Sequence, residues 1–80
     1  QFSLAYFNRG NLNCQQRDFK QGIEDYTKAL QIDPIPEAYF NRGLTLIYLQ
    51  ETEKGCLDVS KAGELGMSEA YNVIKRYCKK

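Results

Sequence analysis

Histidine is absent from this 80-residue chain, and with it go the commonest general base at neutral pH and the commonest metal ligand. Cysteine is sparse. Cys14, Cys56 and Cys78 make an odd count at wide spacing, unlike the close pairs of zinc sites or small disulfide scaffolds. A metal centre is therefore disfavoured and no cofactor is expected. No glycine-rich phosphate loop occurs, and Ser3, Ser60 and Ser68 have no evident base to activate them, so the expected class is not an enzyme. Acidic pairs such as Glu24–Asp25 read as solvated helix faces rather than acid–base machinery.

Charge of one sign is missing too. Eleven Lys and Arg against ten Asp and Glu leave a formal charge of +1, which supplies no general field for nucleic acid or an acidic membrane. The one local imbalance is Lys75, Arg76, Lys79 and Lys80 at the end of the chain. Cations there favour the negative end of a terminal helix, and without a wider patch they lack the footprint of a nucleic-acid site. No apolar run approaches the roughly 18 residues of a membrane span, so no membrane insertion is expected and the chain reads as soluble. The cysteine pattern favours a reducing compartment, cytoplasmic first. The segment opens at Gln1 without a signal peptide, leaving room for a targeting segment upstream.

What the sequence does have is repetition. AYFNRG at residues 5–10 returns at 38–43, and the same offset sets Gly22 on Gly55, Asp25 on Asp58, Lys28 on Lys61 and Ala29 on Ala62. A repeated structural unit is the natural cause. Within it the apolar spacing is helical: Phe19, Ile23, Tyr26 and Leu30 follow an i, i+4, i+7, i+11 stripe. Asp18 with Gln21 reads as a variant capping box, Pro34 and Pro36 close one helix and open the next, Gly66 offers a left-handed stop, and Ser68 a following cap. The spacing predicts five helices, near 3–15, 18–31, 36–49, 52–65 and 68–78, antiparallel through short turns. The fold class is all-α: a helix-turn-helix solenoid with one unit over 1–34, a second over 35–67 and a capping helix over 68–80.

Gly10 and Gly43 lie inside helices, where glycine costs about 1 kcal/mol relative to alanine. Close approach of a partner helix would offset that cost. Gly22, Gly55, Ala29 and Ala62 are the small residues expected opposite, with Tyr6 and Tyr39 filling the larger gap beside each notch. Tyr6, Tyr39, Ile23, Tyr26 and Leu46 are the expected core. Cys56 and Cys78 should approach each other across neighbouring helices; buried free thiols are expected there, with a disulfide as the alternative.

The order Tyr6, Gly10, Gly22, Tyr26, Ala29, Pro34 resembles the tetratricopeptide repeat, and Tyr39, Gly43, Gly55 and Ala62 carry the likeness into the second unit. There Val59 replaces the second aromatic and Met67 the proline. The ending GCLDVSKAGELGMSEAYNVIKRYC looks like that of small bacterial members. Asn13 and Gln16 depart from the pattern, standing where the family is usually apolar. The period of thirty-three is close to the family's usual length of about thirty-four.

The resemblance implies a non-catalytic module for protein–protein interaction, holding a peptide or protein segment in a concave groove lined by the first helix of each unit. Its expected residues are Phe7, Asn8, Asn11, Gln15, Phe40, Asn41, Leu44 and Tyr48, with Leu4 and Glu37 beside them and Asn72 and Arg76 completing the rim. One subclass clamps a chaperone's terminal carboxylate with lysines, an arginine and two asparagines. Asn11 and Asn41 occupy the asparagine places, but Phe7, Glu69 and Val73 stand where the basic partners belong, so that ligand is rejected. The alternative role is self-association through an uncovered repeat edge bearing Phe2 and Leu4, giving a homo-oligomer.

Overall fold

The computed structural model describes residues 2–78. It contains α1 (Phe2–Gln15), α2 (Phe19–Ile32), α3 (Pro36–Tyr48), α4 (Thr52–Glu64) and α5 (Glu69–Val73), the last running on into a π-helical turn, Ile74–Cys78. The all-α, five-helix reading holds, with ends within two residues of those expected. Lys79 and Lys80, half of the basic cluster at the end of the chain, lie outside the described residues.

Local chemistry sets the boundaries. Asp18 caps α2 by accepting from the Gln21 amide at 3.3 Å. The reciprocal half of the capping box does not form, because the Gln21 side chain donates instead to Asp25, also at 3.3 Å. Pro36 opens α3, where its missing N–H is no loss. Gly66, at φ +110°, ends α4 in the left-handed conformation, with Met67 N–H returning to the Ala62 carbonyl at 3.1 Å. Ser68 does not cap α5 through its side chain: its backbone is already helical, and the turn is closed by main-chain bonds, Ala70 to Met67 and Tyr71 to Ser68.

The first helix of each unit stops in the same way without glycine. Arg17 (φ 66°) and Gln50 (φ 72°) occupy equivalent left-handed positions. The next amide reaches back in each case, Asp18 to Asn13 and Glu51 to Leu46, both at 2.8 Å.

The notches behave as their cost demands. A β-carbon on Gly43 would lie 2.7 Å from both the Gly55 carbonyl oxygen and Val59 Cγ2; one on Gly10 would lie 2.8 Å from two ring carbons of Tyr26. Backbone therefore meets backbone between α1 and α2, and again between α3 and α4, with Ala29 and Ala62 fully buried beside them. The α2 helix packs on α3 to join the units, and α5 closes over α4. The molecule measures 36 × 25 × 16 Å, two helices thick at most, so each helix keeps a face towards water.

Three expectations about the interior are corrected. Of the five core residues named from sequence, Tyr26 is fully buried, whereas Tyr6, Ile23, Tyr39 and Leu46 are half-buried. A two-layer slab has too little depth to cover them all. Tyr6 is screened by the Arg9 and Lys28 cations over its ring, 5.4 and 5.7 Å from its centroid. Asp25 is no solvated helix face: it is completely buried, while its neighbour Glu24 is exposed. Finally, Cys56 and Cys78 form a disulfide, with Cα atoms 5.7 Å apart, and only Cys14 is a free thiol among the described residues. The odd count and wide spacing of the cysteines, which favoured a reducing compartment, did not exclude this bond.

Candidate functional site

Beneath the surface that could bind a partner lies a polar frame repeated once per unit. Arg9 grips buried Asp25 with both prongs of its guanidinium, Nε to Oδ2 at 3.1 Å and Nη2 to Oδ1 at 2.8 Å. Arg42 grips Asp58 in the same fork, at 2.7 and 2.8 Å. Asn13, out of place in an apolar pattern, donates to Asp25 at 2.8 Å and completes its coordination. The Arg9 hydrogen bonds outweigh the cost of burial and hold the Asp25 carboxyl below the usual carboxylate range, with Asn13 and Gln21 adding to the effect. Arg42 also crosses between units, its Nη1 donating to Thr27 Oγ1 at 3.1 Å.

The concave-side residues named from sequence fall into two groups. Phe7, Asn11, Phe40 and Asn41 are drawn into packing. The Phe7 ring lies 6.0 Å from the ring of Tyr26, and Phe40 packs on the cluster of Val59, Ala62 and Ala70. Asn41 donates to Asn11 across the unit boundary at 3.0 Å, and the Tyr26 hydroxyl donates to the same Asn11 oxygen. Burial pushes the Tyr26 phenol well above its ordinary value, so that donor stays protonated. Asn8, Gln15, Asn72 and Arg76 are exposed.

The second group is Leu44 and Tyr48, at the end of α3 near the interhelical turns. A depression of about 510 Å³ is lined by Leu44, Ile47, Tyr48, Gln50, Thr52 and Tyr77. A smaller one of about 270 Å³ is lined by Arg17, Phe19, Leu44, Thr45 and Tyr48. Tyr48 forms a wall of both and is 56% exposed, yet it is fixed from one side. Its ring lies 5.2 Å from that of Phe19, and Arg17 Nη2 donates to its hydroxyl at 3.0 Å.

Residues 3–35 match the family model described as tetratricopeptide repeat. The chain carries a tetratricopeptide repeat. Repeats of this kind are in general protein–protein interaction modules and typically non-catalytic. The chain is also similar to the human protein named Tetratricopeptide repeat protein 6, at 41% identity over 51 residues, or 62% of this chain. It spans about a tenth of the length of that curated relative, 10%. The expected likeness to small bacterial members is not borne out, the relative being human.

Sequence reasoning missed Arg17, Phe19 and Tyr77 at the site. Tyr77 had a signal: Ala70, Val73, Ile74 and Tyr77 form an i, i+3, i+4, i+7 stripe towards α4. For Arg17 and Phe19 the equivalent residues, Gln50 and Thr52, differ, so a search for repeated positions passes over them. The twin Arg–Asp forks were visible as a repeated Arg and a repeated Asp sixteen residues on, but Asp25 read as surface. Among the described residues no helix is long and apolar enough to cross a membrane.

Proposed function

We propose that the chain is a non-catalytic interaction module that holds a peptide or protein segment along the face shared by α1, α3 and the terminal helix. The expected groove residues are Phe7, Asn8, Asn11, Gln15, Phe40, Asn41, Leu44 and Tyr48, with Leu44 and Tyr48 supplying most of the binding energy. One observation carries this reading: Tyr48 is a large aromatic, more than half exposed and held in place, between two depressions. A pre-ordered aromatic gives contact area at little entropic cost on binding. Peptides selected by display on the intact chain test it. Tyr48→Ala should weaken the best of them by about 30-fold, as removal of an aromatic hot spot does, without lowering the melting temperature. Unchanged affinity would sink the groove.

A second reading is self-association through the edge of α1, favoured by Phe2 and Leu4, which are 80% and 50% exposed. Sedimentation equilibrium decides it. Association that grows with concentration and disappears in Phe2→Ser/Leu4→Ser supports it, and a strict monomer refutes it.

A further inference from the structure

Arg17 differs from the other guanidiniums of the frame. Arg9 and Arg42 are each committed to a buried aspartate, whereas Arg17 has no carboxylate partner among the described residues. It is nevertheless held in place. Its Cζ lies 5.5 Å from the Phe19 centroid and 6.0 Å from that of Tyr48, and Nη2 is bonded to the Tyr48 hydroxyl. A guanidinium carries five N–H donors; this one gives one to Tyr48, and among the described residues no acceptor takes the rest. The Tyr48 oxygen accepts from Arg17 and retains its own proton to donate. Two donor groups are thus presented together at the mouth of the smaller depression.

The surroundings suit an anion. No carboxylate lines either depression of this face, and Arg17 is the one charged residue lining them. The depressions elsewhere carry Glu51, Glu53 or Asp58 in their walls. Asp18, next in sequence, is turned to the Gln21 amide as the cap of α2. Across Tyr48 the larger depression has Leu44, Ile47 and Tyr77 in its wall, with the uncharged Gln50 and Thr52 beside them.

Resting on the groove reading above, we infer that the segment bound there is acidic: an extended peptide whose Asp or Glu carboxylate is seated on Arg17 and the Tyr48 hydroxyl. A nearby apolar side chain of the same segment fills the Leu44–Ile47–Tyr77 depression. In an extended strand, residues i and i+2 point to the same side, so an acid and an apolar residue two apart reach both depressions at once. The cation is stacked and pre-oriented, so the ligand carboxylate meets a planar fork already in place.

Display of a random heptapeptide library on the intact 80-residue chain tests this, with parallel selections on Arg17→Gln, Arg17→Lys and Tyr48→Phe. The native chain should enrich an Asp or Glu two positions from a Leu, Ile, Phe or Tyr. On Arg17→Gln the acid should fall to its background frequency while the apolar position persists. The best native peptide should bind this variant about tenfold more weakly, the scale of one charge-assisted contact, and should lose most of its salt dependence. Arg17→Lys should keep the acid preference in part, and Tyr48→Phe should weaken it while sparing the apolar position. Acid enrichment that survives Arg17→Gln, or apolar enrichment without acid on the native chain, overturns this inference and leaves the groove standing. Enrichment of no sequence, or binding indifferent to Tyr48→Ala, overturns the groove itself. Melting curves matching the native chain keep each result from being an effect on folding.

Discussion

Replacing Gly43 by alanine sets two known effects against each other. In an open helix the change gains about 1 kcal/mol, because alanine has the better helix propensity. Here the added methyl would stand 2.7 Å from the Gly55 carbonyl oxygen, 2.7 Å from Val59 Cγ2 and 3.0 Å from Asp58 Cβ. None of these can turn aside. The first is backbone, Val59 is fully buried, and Asp58 is locked into its fork with Arg42. The helices α3 and α4 must separate, which places the cost near the top of the roughly 1–3 kcal/mol typical of overpacking. The net loss is about 2 kcal/mol, or roughly 8–16 °C of melting temperature for a domain of this size. Gly63→Ala is the control. Its nearest neighbours would be Tyr71 Cζ at 3.2 Å and Ala70 Cβ at 3.3 Å. Tyr71 is 53% exposed and is held to the Gly63 carbonyl by a long bond from its hydroxyl, 3.3 Å, so a shift of a few tenths of an ångström relieves the contact and the change should fall within about 0.5 kcal/mol of neutral. Thermal unfolding followed by far-ultraviolet circular dichroism, with both variants kept oxidised, measures the difference. If Gly43→Ala melted at or above the parent temperature, the account of the repeated glycine as a forced close approach would be wrong.

Reducing the Cys56–Cys78 bond, which closes a separation of 22 residues, should lower stability by about 3 kcal/mol on the chain-entropy model; an unchanged urea midpoint in excess dithiol would contradict this. Stability should also fall in acid through Asp25, whose folded carboxyl is held below the ordinary range by Arg9. The contribution is intact above the unfolded value near pH 4 and drains away as pH falls through the lower folded value. Asp25→Asn should flatten that part of the curve of stability against pH, and an unaltered curve would refute the assignment.

The architecture was legible because its signals are short-range and duplicated. Two glycines inside helical stripes require something to offset them, and the same offset between AYFNRG copies places the helices in tandem. Less legible was what depends on partners far apart in sequence. Asp25 and Glu24 are adjacent acids, and no local pattern says that one is swallowed by a fork from sixteen residues away while the other stays wet. Asn13 read as a misfit because the carboxylate it serves was placed on the surface. The disulfide turned on where a π-helical turn at the chain's end delivers Cys78, and periodicity tuned to 3.6 residues does not register such a turn.

Comparing the two units separates architecture from recognition. Many positions at which they agree are spent on structure: the glycines meet backbone, the Arg–Asp forks hold each pair together, and Asn41, inside the repeated hexapeptide, ties one unit to the next. A residue needed twice for folding has little freedom to choose a partner. The positions around the two depressions are those at which the units disagree, since Asn11 faces Leu44 in the alignment, Gln15 faces Tyr48, Arg17 faces Gln50 and Phe19 faces Thr52. Only the two units and the terminal helix together yield an arginine, two rings tilted against each other and a hollow walled by Leu44, Ile47 and Tyr77 side by side, because each contributes what the others lack. Either unit alone would present half of the proposed acidic-peptide site, which ties recognition to the unit boundary rather than to any single repeat.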